Sequence, residues 1–180
     1  LNYLIIFIVI FSTIKYHVRY NENRKFHELS NTNTSKYAKT ASIDKSLKGI
    51  FWISPHYKES SQQEVEMLKN IKIQLNKKRN IMLITNYLFL DSITSIQLNS
   101  PSRTHTVDGA SIPMRYNKYF NYYKKTLYKK LKTKKINKVY FIKSENVKSK
   151  VFTQFFLKNC YEQIDEGALY FFKLNQSCLD

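Results

Sequence analysis

Short apolar strands alternating with amphipathic helices predict an α/β fold, a small and mostly parallel sheet of about four strands flanked by helices and preceded by part of a transmembrane helix. Three observations carry that expectation. Apolar runs of strand length recur at Gly49–Ile53, Ile81–Ile84, Lys138–Ile142 and Ala168–Phe172. Segments with apolar residues at helical spacing lie between them, and the first residues, through Ile14, carry no charge. A chain of 180 residues, 43% of them hydrophobic, has enough apolar surface for one packed domain.

Leu4–Phe11 is wholly apolar, and the uncharged run extends to Ile14. About fourteen residues are too few to cross a bilayer, which takes roughly 20. No basic segment precedes the run and no small-residue cleavage site follows it, which argues against a signal peptide. Residues 1–14 are therefore expected to be the C-terminal part of a transmembrane helix, and the chain a fragment of a longer protein. Tyrosines and cations from Lys15 to Lys25 suit a headgroup layer. Residues 15–47 read as a juxtamembrane segment and linker, rich in Ser, Thr, Asn and Lys from Leu29 to Ser46.

Residues 48–180 read as a soluble α/β domain. The strand Gly49–Ile53 is closed by Ser54-Pro55-His56. Ser61-Gln62-Gln63-Glu64 has the form of a capping box, and Val65, Leu68, Ile71 and Leu75 follow at helical spacing. Ile81–Asn86 reads as a buried strand whose apolar run Ile81–Ile84 ends in Thr85 and Asn86, polar side chains at its C-terminal edge. Leu88–Leu98 reads as a second helix. Tyr116–Leu131 is a strongly amphipathic one, with Phe120, Tyr123, Leu127 and Leu131 on the core side. Lys138–Ile142 is the next strand, Val147–Gln163 a further helix and Ala168–Phe172 the last strand.

The formal charge of +17 would ordinarily raise nucleic acid or an anionic membrane surface as a partner, a reading discounted here as compositional background. The excess is lysine, arrives with abundant Asn, Ile, Tyr and Phe as in AT-rich coding, and is spread from Lys15 to Lys173. No nucleic-acid partner is therefore expected. Three glycines cannot write a phosphate loop or a dinucleotide fingerprint, and no Gly-x-Ser-x-Gly elbow is present. Cys160 and Cys178 lack metal-ligand spacing. They are either a disulfide formed in an oxidising compartment or two unpaired small apolar side chains.

The long polar loop Asn99–Pro113 and the strand edges are where a site is sought. Arg103, with Ser102 beside it, has the fork and hydroxyl to bind a phosphate or carboxylate. His105 and Asp108 have the chemistry of an acid/base pair but are too few for a complete site. The candidate substrate-binding residues are Arg103, Ser102, Thr85, Asn86, His56, His105 and Asp108. No catalytic residue, metal or cofactor is expected. The plain alternative is a solvated loop and ordinary surface turns.

Taken together, the leading helix, Tyr20-Asn21-Glu22-Asn23-Arg24-Lys25-Phe26, Trp52-Ile53-Ser54-Pro55, Leu83-Ile84-Thr85-Asn86-Tyr87, Ser100-Pro101-Ser102-Arg103 and Asn117-Lys118-Tyr119-Phe120 resemble the C-terminal region of polytopic membrane proteins from AT-rich marine bacteria. Those are similar in layout to membrane glycosyltransferases that use polyprenyl-phosphate sugars. The resemblance implies a domain at the bacterial inner membrane, on its periplasmic side. Such a domain would assist sugar transfer without being catalytic itself, with the membrane, a polyprenyl-phosphate lipid and a glycan acceptor as partners. It also favours a bridge between Cys160 and Cys178. The alternative from another class is a non-catalytic, membrane-anchored interaction or ligand-binding module.

Overall fold

A computed structural model describes residues 2–19, 36–54, 60–102, 111–145 and 147–179. Its centre is a four-stranded mixed sheet in the order β3-β4-β6-β5, built from Ile81–Ile84 (β3), Lys138–Ile142 (β4), Tyr161–Glu166 (β5) and Leu169–Leu174 (β6). Alternation along each strand divides the core into two layers. Ile81, Leu83, Tyr140, Ile142, Leu169 and Phe171 face helix α2 (Ser61–Asn76), through Val65, Leu68, Ile71 and Leu75. Met82, Ile84, Val139, Phe141, Phe172 and Leu174 face helix α4 (Phe120–Thr133) and the short turn α5 (Lys150–Thr153). Residues 81–84 have both faces covered, as their unbroken apolar run requires.

The expectation of a mostly parallel sheet is corrected. Only β3 and β4 run parallel, with α4 in the crossover between them. β6 is antiparallel to β4 and to β5. The reason is local: residues 161–166 form a strand where a helix through Gln163 is expected, and the turn at Gly167, with φ of +60°, folds β6 straight back. So short a connection can only join antiparallel neighbours. The expected helix shrinks to α5 and a 3-10 turn at Lys158–Cys160.

Three other elements differ from expectation. Phe51–Trp52 (β2) lies outside the main sheet and pairs with Ala38–Lys39 (β1) in a two-stranded antiparallel ribbon. Packing thus extends N-terminally of Lys48: Ala38 and Ile43 are buried against α2, and Thr40 Oγ1 donates to Leu47 and Ile50 carbonyls. Leu88–Leu98 contains one helical turn, α3 (Leu90–Ile93). There Thr94 Oγ1 bonds the carbonyls of Leu90 and Ile96, and Asp91 Oδ1 accepts from Leu98 N at 2.8 Å, which gives the backbone partners outside a helix. The capping box stands one residue earlier than expected. Ser60 is the N-cap, exchanging bonds with Gln63, and Glu64 is released for another role.

The leading segment forms helix α1 (Asn2–His17), none of whose residues is buried. At 1.5 Å per residue it is about 24 Å long, short of the roughly 30 Å of a hydrocarbon core. No helix among the described residues is long and apolar enough to cross a membrane.

Cys160 and Cys178 are disulfide-bonded, with Cα atoms 5.8 Å apart. The bond ties the turn before β5 to the C-terminal 3-10 turn Gln176–Leu179, which packs on α4 through buried Leu179.

Candidate functional site

β3 and β4 end side by side, Ile84 against Phe141, and each strand gives way to polar residues at the same edge. Thr85 is 2% exposed, although it follows the last residue of β3. Its Oγ1 donates to Glu145 Oε2 at 2.5 Å and accepts from Tyr87 N at 3.0 Å. Asn86 N donates to the other carboxylate oxygen, Glu145 Oε1, at 2.7 Å. The turn after β4 therefore clamps the turn after β3 through one carboxyl group.

α2 leads into β3 through a tight turn at Asn80, whose φ is +52°, and so runs back along the sheet with its first turn over this edge. That turn supplies a second carboxyl group. Glu64 is 2% exposed and accepts from Trp52 Nε1 at 2.7 Å and from Tyr87 Oη at 2.5 Å. A carboxylate in the first turn of a helix is favoured by the exposed amide dipoles there. The ring of Trp52 packs against Tyr87 and Phe89, with centroids 6.1 and 5.5 Å away. The β1–β2 ribbon holds Trp52 in register opposite Ala38.

All four carboxylate oxygens thus have a protein donor. Burial pushes the Glu145 carboxyl up to about 7, and the charge of Glu64 adds to the rise, against the Thr85 and Asn86 bonds that favour the ionised form. Near neutral pH this group takes up or releases a proton within the clamp. The rim is formed by half-buried Trp52, Tyr87 and Phe89 with the exposed Asn86, so that apolar ring surface lies beside polar groups.

Of the residues singled out from the sequence, Thr85 and Asn86 meet here. Ser102 does not. It lines a cleft with Leu88, Asp91, Asn99, Lys130 and Lys134, on the side where Asn99 Nδ2 donates to Ile81 O at the start of β3. Burial lowers the pKa of Lys130 in that cleft, and its Nζ donates to Ser100 O at 2.9 Å. His56, Arg103, His105 and Asp108 lie outside the described residues. Among the described residues, no group of three or more His, Cys, Asp or Glu side chains is placed to hold a metal ion.

Glu64, Trp52 and Tyr87 were not among the residues expected at the site. A signal for Glu64 exists: with Leu68, Ile71 and Leu75 it falls on the buried stripe of α2, where a carboxylate demands partners. Trp52 is the only tryptophan in the chain. Its pairing with Glu64 is a tertiary contact with no local signature.

Comparison with protein-family models, curated proteins and solved structures finds no match to this chain.

Proposed function

We propose that this chain is a membrane-associated accessory domain that binds a hydroxylated ligand, a sugar, at the edge where β3 and β4 end, and assists sugar transfer from a polyprenyl-phosphate donor without being catalytic itself. The observation that carries the reading is the pair of internally bonded carboxyl groups beneath an aromatic and amide rim. Glu64 and Glu145 each hold two donors, so they act as supports that fix Trp52, Tyr87 and Asn86. A sugar presents apolar C–H faces and a ring of hydroxyls, which suit a surface of aromatic rings beside an amide. The edge of a parallel strand pair is also where open α/β sheets bind ligands.

Membrane association rests on α1. Leu4 to Phe11 are apolar around the whole helix, and residues such as Phe7 and Phe11 are more than half exposed. A helix apolar on every side is stable in a protein interior or among lipid tails. The Cys160–Cys178 bond fits the periplasmic side of the bacterial inner membrane, where disulfides persist.

The test uses Trp52 as the sole tryptophan reporter. The full chain, held in detergent micelles or nanodiscs, is titrated with neutral monosaccharides and with a polyprenyl-phosphate sugar. A saturable change in tryptophan emission that Asn86→Ala weakens is the expected result. Emission that no sugar alters, or that changes equally in Asn86→Ala, would overturn the reading.

A further inference from the structure

We infer that the outward face of α4 and the turns leading into it form a docking surface for an anionic lipid headgroup layer. Positive charge occurs along the whole chain, but here it is unbalanced by acid and a helix lines much of it up on one strip. No acidic residue occurs between Asp108 and Glu145, and nine cations fall between Arg115 and Lys135. Leu127 and Leu131 point α4 into the core, so Lys125, Lys129 and Lys132, spaced four and three residues apart, share its solvent face. Lys124 lies over the Tyr128 ring, 5.2 Å from its centroid, at the side of the same strip.

The aromatic residues at the N-terminal end decide between anionic partners. Tyr116, Tyr119 and Tyr122 are 85%, 59% and 75% exposed, and Lys118 Nζ sits 5.0 Å from the Tyr119 ring centroid. Lysine stems and tyrosine rings exposed together suit a headgroup layer, where aromatic rings rest at the boundary and long cations reach phosphate. A nucleic-acid strand would also welcome lysines and rings. The uncovered apolar helix α1 in the same chain favours the lipid surface, because it brings the chain to a bilayer. To that extent the inference rests on the membrane association proposed above, and it is independent of the sugar site.

The two membrane contacts differ in their physics, which makes them separable. Insertion of the apolar part of α1 does not depend on headgroup charge, and the cations that follow it from Lys15 are unaltered in the α4 variants, whereas an α4 contact requires anionic lipid and is screened by salt. Binding of the full chain is measured by vesicle co-sedimentation, with phosphatidylcholine alone and with phosphatidylglycerol added. The wild type should bind the anionic vesicles more tightly, and raising the salt from about 0.1 to about 1 M should abolish that increment. The triple variant Lys125→Gln, Lys129→Gln, Lys132→Gln should lose roughly a hundredfold of the increment while keeping wild-type affinity for phosphatidylcholine. The corresponding triple arginine variant keeps the charge and should keep the increment. Equal thermal melts of both variants exclude misfolding as the cause.

An increment undiminished in the glutamine variant would overturn the inference, as would a wild type indifferent to phosphatidylglycerol. Duplex or single-stranded DNA displacing the chain from anionic vesicles through the same three lysines would overturn it in favour of nucleic acid. Loss of phosphatidylcholine binding alone, with the lysine-dependent increment intact, would sink the role of α1 and leave the α4 surface standing.

Discussion

On one side of the sheet, α2 offers Val65, Leu68, Ile71 and Leu75, an aliphatic stripe on a single unbroken helix of 16 residues. On the other, α4 shares the surface with Phe152, Phe155 and Phe156, delivered by one turn of helix and by irregular chain. Rings there stack closely: Phe120 on Phe155 at 4.8 Å between centroids, Tyr128 on Phe156 at 5.3 Å. A regular helix fixes its own side chains by periodicity, so the aliphatic layer needs no staple. Irregular segments carry more conformational entropy to be offset, and here large rings, the Tyr128 Oη to Phe155 O bond of 2.6 Å and the Cys160–Cys178 bridge supply it. The polar clamp of Glu145 joins the ends of the two parallel strands, between these layers.

Cavity-forming substitutions test that contrast most strongly. Phe152→Ala should destabilise by about 3–5 kcal/mol and Leu68→Ala by about 2–5 kcal/mol, since both side chains are fully buried. Native-state hydrogen exchange should find the Phe152→Ala loss reaching β4 and β6. A loss confined to the segment around α5 would mean that the aromatic layer is an appendage and not half of the core.

Reduction, or Cys160→Ser with Cys178→Ser, comes next. Closing a separation of 18 residues stabilises by about 3 kcal/mol, and denaturant midpoints with and without reductant would measure it. A Leu68→Ala variant should lose the same amount on reduction, because the two layers lie far enough apart to add. An unchanged midpoint would remove the staple from the comparison.

The clamp predicts a pH dependence on the order of 3 kcal/mol. Burial holds the Glu145 carboxyl above its ordinary value of 4.5, so the native state binds its proton more tightly than the unfolded chain does. Its contribution to stability is full below about 4.5 and is lost as pH rises through about 7. Glu145→Gln should flatten that segment of the stability profile and make the chain relatively more stable above neutrality. A profile of the same slope in the variant would assign the dependence elsewhere.

The smallest effect concerns where α2 begins. Ser60→Ala should cost about 1 kcal/mol through loss of the N-cap, whereas Ser61→Ala removes two long bonds of 3.3 Å, one donated to Lys36 O and one accepted from Ser54 N, and no cap. Thermal melts of the two variants would rank them. The reverse ranking would return the capping box to Ser61.

Legibility followed regularity. α2 and α4 could be read because Val65, Leu68, Ile71 and Leu75, and Leu127 and Leu131, repeat at the helical period. Residues 147–166 could not be read correctly. Val151, Phe155 and Cys160 mimic that period, while Tyr161–Glu166 is a polar edge strand whose identity depends on pairing with Leu169–Leu174. Half of the site was legible for the same reason: Thr85 and Asn86 end a buried apolar run, and such strands end at ligand-binding edges. Glu64 was read as part of a cap, because the sequence carries no record of the Trp52 indole that it accepts from.

By itself the sequence determined an α/β chain with helices on a short apolar sheet, two cysteines available for a bridge and an apolar leading segment. These follow from periodicity and composition, which are local quantities. Only the tertiary structure decided the mixed strand order, the transfer of Phe51–Trp52 to a separate ribbon and the meeting of Glu64 and Glu145 at one edge. Each of these depends on contacts between residues far apart in the chain, and their pairing is fixed by packing and hydrogen-bond satisfaction in three dimensions.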